Sequence, residues 1–296
     1  MTARTVIRSS RVPFLILTPA CVLVGISCAW SVQAPLSSWH ILLVMLAAVA
    51  AHISVNALNE YEDFRSGLDL HTQRTPFSGG SGALPANPSA APAVLWLGIC
   101  TLLLCMLIGL YFLLQVGWPL LLFGLPGCLI ITTYTRWINR SPLLCLLAPG
   151  IAFGPLMVGG TTLALTGTLP VAALWASVPV FFVVNNLLLL NQYPDIEADR
   201  AIGRVHWPIR YGIEASNRVY LLSLLGVFAS LLSAVILGRL PVSALLSLTA
   251  LAPAFFSYRG MRLLREKIAS QPHYMAANVI TAIALPTLLA LGIFLG

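Results

Sequence analysis

Apolar positions in this chain run together rather than alternating with polar ones. From Pro13 onward, long and nearly uncharged stretches follow one another. Each would be long enough, as a helix, to cross the hydrocarbon of a bilayer. Nine spans are predicted, over 13–33, 39–58, 92–111, 115–134, 143–164, 171–190, 219–238, 242–258 and 275–295. Arginines precede the first run as they would a signal peptide, but so many similar runs follow that a first span is expected instead. The expected fold is all-α, a polytopic membrane protein of nine transmembrane helices around a central cavity. Prolines inside spans, among them Pro126, Pro179 and Pro253, suggest kinked helices that widen such a cavity.

Composition supports this picture. Of 296 residues, 58% are hydrophobic and 8% charged, and mean hydropathy is +0.91. Soluble domains carry about a quarter charged residues, so this chain lacks the polar material for a soluble surface. Fifteen of its sixteen basic residues fall on one face of the predicted topology, and Arg239 alone falls on the other. The positive-inside rule makes that face cytoplasmic, with the N-terminus inside. The formal charge of +7 is thereby explained without nucleic acid. The six cysteines lie in or beside apolar runs without metal-ligand spacing and read as small buried hydrophobes. The histidines, His40, His52, His71, His206 and His273, are scattered and show no paired spacing.

The acidic residues need a separate reason, because they contribute little to topology. All nine lie on the basic face, and six belong to two short clusters. The first is Asn59-Glu60-Tyr61-Glu62-Asp63, with Asp69 beyond it. The second is Asn191-Gln192-Tyr193-Pro194-Asp195, with Asp199 beyond it. Both read Asn-(Glu/Gln)-Tyr-x-Asp, and they follow the second and sixth spans. An internal repeat is expected, with units over about 13–134 and 143–258 and a final helix over 275–295. Spans in even number make such repeats parallel, so the two clusters would face each other from the same side.

Asn59 and Asp63 are four residues apart and share a helical face; Asn191, Asp195 and Asp199 extend the same spacing, with Gly203 one step further. Oxygen ligands on two opposed faces suit Mg²⁺ that also binds phosphate oxygens. Carboxylates crowded in this way repel one another and imply bound cations or neighbouring arginines. The candidate metal ligands are Asn59, Glu60, Asp63, Asp69, Asn191, Asp195 and Asp199. Arg204 is the leading candidate for direct phosphate contact, since a guanidinium fork matches phosphate oxygens. Arg74, Arg136, Arg140 and Arg210 are further candidates, each of which also reads as an orientation signal. Thr75 to Gly82 is glycine-rich, readable as a flexible turn or as a loop with amides exposed to an anion. The segment over 191–217 is expected to form a helix that leaves the membrane and continues into solvent.

These residues resemble the UbiA superfamily of intramembrane prenyltransferases. The resemblance rests on Asn59 to Asp63 with Asp69, and on Asn191, Asp195, Asp199, Gly203 and Arg204. It covers most of the chain, which would then be one domain over 1–296. Within the superfamily the chain is most similar to the 1,4-dihydroxy-2-naphthoate polyprenyltransferase branch, on Gly67 before Asp69, on Gly79-Gly80-Ser81-Gly82 and on Phe153-Gly154-Pro155-Leu156-Met157-Val158-Gly159. Two departures are Glu60 in place of the commoner aspartate, and Tyr134 to Arg140, which lacks the usual Pro-Pro and Lys-Tyr pattern.

The resemblance implies that a polyprenyl diphosphate, clamped through Mg²⁺ by the two clusters, ionises and is attacked by an aromatic acceptor. Asp63, Asp69, Asp195 and Asp199 would carry the catalysis, with Asp69 as a possible base. Tyr61 and Tyr193 would face the allylic cation or bond diphosphate, with helix packing as the plainer alternative. Menaquinone biosynthesis in a bacterial cytoplasmic membrane, with the site open to the cytoplasm, is the expected setting, and no obligate protein partner is expected. Prenylation of 4-hydroxybenzoate, homogentisate or a lipid alcohol, and transport of an anionic solute, remain alternatives.

Overall fold

The computed structural model describes residues 2–72 and 74–296, apart from the side chain of His71. It is helical throughout. The chain opens with α1 (Thr2–Ser9), then bends by 51° into α2 (Leu17–Ser31). The break falls between Phe14 and Leu17, just past Arg11, whose backbone is left-handed at φ 52. Next comes α3 (Ser38–Arg65), 28 residues long, or about 42 Å at 1.5 Å per residue. Gly67, left-handed at φ 80, ends that helix and leads into the short α4 (Leu68–His71). A loop and the short α5 (Ala83–Ala86) precede α6 (Ala91–Val116) and α7 (Leu121–Thr133).

The next span is broken. It runs through α8 (Pro142–Ile151), a π-helical stretch Ala152–Gly159 and α9 (Gly160–Thr166). Pro149 and Pro155 lack the N–H that an α-helical ladder needs, which accounts for the widened turns. Then follow α10 (Val171–Asn191), the short α11 (Ile196–Ala201) and α12 (Trp207–Ile236), which is interrupted at Gly212. A 3₁₀ stretch, Val242–Ala250, leads into α13 (Leu251–Leu264), and α14 (Pro272–Leu295) completes the bundle.

Among the described residues, seven helices are long and apolar enough to cross a membrane, and the bent pair of α1 and α2 would make eight. The remaining expected span, over 115–134, corresponds to Trp118–Thr133, an apolar helix that is too short by this criterion. Large apolar side chains are turned outward: Leu107, Leu114, Leu122, Leu222 and Ile236 are all exposed. In water such a surface would aggregate, whereas in lipid it is the required exterior. The exterior also corrects the reading of the cysteines. Cys21, Cys28 and Cys145 are buried, but Cys100 is exposed and Cys105 and Cys128 are partly so, because α6 and α7 bury few of their side chains.

The interior is densest around α10, which packs against α8, α12 and α14, while α14 also packs against α2. Polar groups pin these helices together. The Tyr220 hydroxyl donates to Asn278 Oδ1 at 2.8 Å, Asn278 Nδ2 donates to the Asn186 carbonyl at 3.1 Å, and Asn186 Nδ2 donates to the Tyr220 carbonyl at 3.0 Å. Interhelical bonds of this kind are worth about 0.6–2 kcal/mol each in a membrane.

Candidate functional site

The two clusters meet at one end of the bundle. The first lies on the last turns of α3, where Asn59 and Asp63 share a face as their spacing predicts. The second differs from expectation. Asn191 is the last residue of α10, the chain turns over Gln192 to Asp195, and α11 starts afresh at Ile196. Pro194 has no N–H to continue the ladder, so no single helix carries Asn191, Asp195 and Asp199 into solvent.

Arg204 ties the clusters together. Its Nη2 donates to Asp63 Oδ1, and its Nη1 donates to Asp199 Oδ1 at 2.8 Å. The other Asp199 oxygen meets His206 Nε2 at 3.1 Å. The loop Thr75–Gly82 crosses to the second cluster, where the Gly79 N–H donates to Asp195 Oδ2 at 3.1 Å. From the start of the first span, Arg11 donates through Nε to Glu60 Oε1 at 2.8 Å and through Nη2 to Asn59 Oδ1 at 3.2 Å. Asn59 in turn donates to Thr135 Oγ1 at 3.1 Å.

These groups form the polar end of a cavity of ≈ 780 Å³. Asn59, Asp63, Asp69, Asn191, Asp195, Asp199, Arg11 and Arg204 all line it. Its walls are otherwise apolar, drawn from α2, α3, α6, α7 and the broken span, with Val279 and Ile283 from α14. His52 faces it from α3, its Nδ1 2.7 Å from the Thr18 hydroxyl.

Three buried oxygens at this end lack a hydrogen-bond partner among the described residues: Asp69 Oδ2, Asn191 Oδ1 and Asp195 Oδ1. Leaving such atoms bare is costly, so they mark a place for a ligand that accepts lone pairs. Hard oxygen donors of this kind suit Mg²⁺. No three Asp, Glu, His or Cys side chains among the described residues converge on one ion position. An ion here would keep one or two protein oxygens and complete its shell with water and phosphate, which is the usual habit of Mg²⁺.

The electrostatics agree. Burial, with Glu60 and Asp63 nearby, pushes the Asp69 carboxyl up to about 7. Burial and the adjacent Asp199 push Asp195 up to about 7 as well, against the Gly79 N–H and the two arginines. For Asp199 burial also acts upward, but the His206 hydrogen bond and the Arg204 guanidinium outweigh it and hold the carboxyl below its ordinary value. Ionisation of Asp69 and Asp195 is thus disfavoured until a cation compensates it, whereas the charge of Asp199 is already compensated by Arg204.

Residues 18–285 match the sequence profile of the UbiA prenyltransferase family. The chain belongs to this family. It is similar to the 1,4-dihydroxy-2-naphthoate octaprenyltransferase of Bacillus subtilis (strain 168), at 28% identity over 169 residues, or 55% of this chain. The matched stretch spans 52% of that relative, about half its length. In fold it resembles the apo structure of a UbiA homolog from Aeropyrum pernix K1, with TM-score 0.72 and 18% identity over 95% of this chain and 97% of the other. It also resembles a UbiA homolog from Archaeoglobus fulgidus bound to DMAPP and Mg²⁺, with TM-score 0.65 and 15% identity over 98% and 99% of the two chains.

Several residues of this UbiA chain stand elsewhere than the sequence suggests. Arg136, a candidate for phosphate contact, pairs with Glu62 at 2.7 Å outside the lining and is 59% exposed. Arg140 and Arg210 are exposed and also lie outside the lining. Arg74 points its Nη2 at the Asp69 carbonyl, 2.7 Å away. Arg74 and Arg136 are thus held by nearby acceptors, the Asp69 carbonyl and Glu62. Tyr193 is fully buried in the core and donates to Asn217 Oδ1 at 3.0 Å, and Tyr61 packs beneath Arg65; neither lines the cavity. Glu60 is likewise fully buried and outside the lining. Arg11 and His206 were not singled out by the sequence. The signal for Arg11 was its place as the last charge before the first apolar run; His206 had none.

Proposed function

We propose that this chain transfers a polyprenyl group from a polyprenyl diphosphate to an aromatic acceptor, with Mg²⁺, and that the acceptor is 1,4-dihydroxy-2-naphthoate in menaquinone biosynthesis. The observation that carries the reading is the convergence of unpartnered Asp69, Asn191 and Asp195 oxygens on the polar end of a large apolar cavity. The naphthoate acceptor is supported by the similarity to the Bacillus subtilis octaprenyltransferase. The setting would be a bacterial cytoplasmic membrane with the polar end toward the cytoplasm, supported by the one-sided basic residues.

In this reading Asp63, Asn191 and Asp195 would hold Mg²⁺, which when bound would supply positive charge to the diphosphate oxygens and ease their departure, while Asp199, its oxygens taken by Arg204 and His206, fixes Arg204 in place. Arg11 and Arg204 add fixed positive charge at the same end. The apolar walls take the prenyl tail and keep water from C1 of the donor. Asp69, with a raised affinity for protons and one free oxygen, takes the proton of the acceptor hydroxyl. The electron-rich ring carbon then bonds to C1 as the C1–O bond breaks, and the naphthoate carboxylate leaves as carbon dioxide.

The test is product analysis by mass spectrometry, using purified protein, a polyprenyl diphosphate and a panel of acceptors, with Mg²⁺ or EDTA. The expected product is a prenylated, decarboxylated naphthoate that requires Mg²⁺ and falls by at least about a hundredfold in Asp63→Asn and Asp195→Asn. A prenylated product from another acceptor would sink the naphthoate assignment and keep prenyl transfer. No prenylated product from any acceptor, in folded protein that binds the diphosphate, would sink both.

A further inference from the structure

Glu60 sits in the first cluster, where the sequence pattern places a metal ligand, yet its surroundings differ from those of Asp63 and Asp69. A ligand needs a lone pair free to face the cavity. Glu60 is fully buried, is absent from the lining and has both oxygens engaged. Its Oε1 accepts from Arg11 Nε at 2.8 Å and from the Ser81 N–H at 2.7 Å, and its Oε2 accepts from Ser81 Oγ at 2.6 Å. Ser81 is held from its other side too, where its carbonyl accepts from Arg8 Nη2 at 2.8 Å.

From this anchor the chain over 75–82 reaches across the site. Phe77, Ser78, Gly79 and Gly80 line the cavity, and the Gly79 N–H is bonded to Asp195 on the far side. At Gly80, left-handed at φ 73, an added Cβ would stand 2.9 Å from Asp69 Oδ1. The loop backbone therefore lies directly against the cavity carboxylates. One short segment joins the N-terminal helix, the first cluster and the second cluster.

We propose that Arg11, Glu60 and Ser81 form a latch that keeps residues 75–82 closed over the diphosphate end of the cavity, and that Glu60 is a positioning residue and not a metal ligand. The consequence for chemistry rests on the prenyl-transfer reading above. When the C1–O bond of the donor breaks, diphosphate leaves with the electron pair and C1 is open to whichever nucleophile arrives. The acceptor ring gives the transfer product. Water gives a prenyl alcohol and releases a proton. A loop freed from its latch admits water at the moment when C1 is most reactive, so the latch controls the partition between transfer and hydrolysis.

The experiment compares wild type with Ser81→Ala, Glu60→Gln and the double variant, in detergent. Ser81→Ala removes one bond to a carboxylate without changing charge, so it tests the latch even if Glu60→Gln folds poorly. The first readout is hydrogen exchange of the peptide covering 75–82, without substrates. Loss of a charge-assisted bond is expected to speed it roughly tenfold or more in both single variants. In turnover, both variants raise the ratio of prenyl alcohol to prenylated product by roughly tenfold. Both leave the Mg²⁺ concentration for half-maximal rate within about twofold of wild type, and the double variant exceeds Glu60→Gln only by the loss of the Ala83 N–H bond to Ser81 Oγ, so the two effects are less than additive. Unchanged exchange in Ser81→Ala would overturn the latch. So would a Glu60→Gln protein with a tenfold higher Mg²⁺ requirement beside a normal Ser81→Ala, since that pattern belongs to a metal ligand. If wild type makes no prenylated product, the prenyl-transfer reading fails, and exchange still decides the latch.

Discussion

Arg204 is the most informative single residue to change. Its guanidinium joins Asp63 of the first cluster to Asp199 of the second, and the three side chains are 11%, 8% and 6% exposed. Arg204→Gln removes the charge and both bonds while nearly keeping the bulk. Hydrogen bonds to charged groups contribute about 1.5–3 kcal/mol each, so two of them suggest about 3–6 kcal/mol. Removing one partner of a buried ion pair costs about 3–5 kcal/mol, because the opposite charge is left uncompensated. His206 still holds one oxygen of Asp199, which favours the lower part of both ranges. A loss near 3–4 kcal/mol corresponds to a melting point lower by roughly 10 °C. Added Mg²⁺ should return much of this, since the bared carboxylates attract it. An ion at a hundred times its dissociation constant gives about 2.7 kcal/mol. The assay is thermal unfolding in detergent followed by intrinsic fluorescence, with EDTA and with Mg²⁺. The variant should melt well below wild type in EDTA and gain more from Mg²⁺ than wild type does. Melting within about 2 °C of wild type in EDTA, or an equal gain from Mg²⁺ in both proteins, would refute the reasoning.

Two further outcomes follow from the same geometry. Asp69 and Asp195 have carboxyls raised to about 7, so the folded protein binds more protons than the unfolded chain between about pH 4 and pH 7. Their contribution to stability is full below the unfolded value and is lost as pH rises through 7; metal-free protein should therefore melt lower at pH 8 than at pH 5.5, and Mg²⁺ should narrow the difference. Gly127 of α7 lines the cavity with nothing within 4 Å of an added Cβ, so Gly127→Leu should leave melting intact, helped by better helix propensity, and shift turnover toward donors with shorter tails; equal use of long and short donors would show that the tail runs elsewhere.

What the sequence could convey depended on whether a pattern had one physical cause. Long apolar runs have one, and the helices over them formed nearly where expected. Trp118–Thr133 fell short because Gly117, at φ 85, breaks the chain before it and limits its length. Spacing by four predicted the shared face of Asn59 and Asp63, since both lie on one helix. The same spacing misled for Asn191, Asp195 and Asp199, where Pro194 replaces the helix with a turn. Arginines at a membrane face are ambiguous by nature, because orientation and ligand contact demand the same residue in the same place. Arg11, paired with Glu60, and Arg204, paired with Asp63 and Asp199, line the cavity while Arg136 is held outside it by Glu62, a distinction that depends on which acidic partner lies within reach in three dimensions. Glu60 shows a similar limit: its partners, Arg11 and Ser81, are far from it in sequence, so the motif alone suggested a ligand.

The seating of α14 bears on how the protein can be made. This helix lies between α2 and α10, so a helix inserted early waits for one translated after all the other spans described here. Until then the Tyr220 hydroxyl lacks Asn278 and would confront acyl chains. Nascent protein therefore passes through a stage with an open seam and wet polar groups in the bilayer. That stage is when an insertase or membrane chaperone would have most to shield. A ribosome stalled before α14 should leave the earlier helices inserted but accessible to protease and to lipid-soluble crosslinkers along that seam.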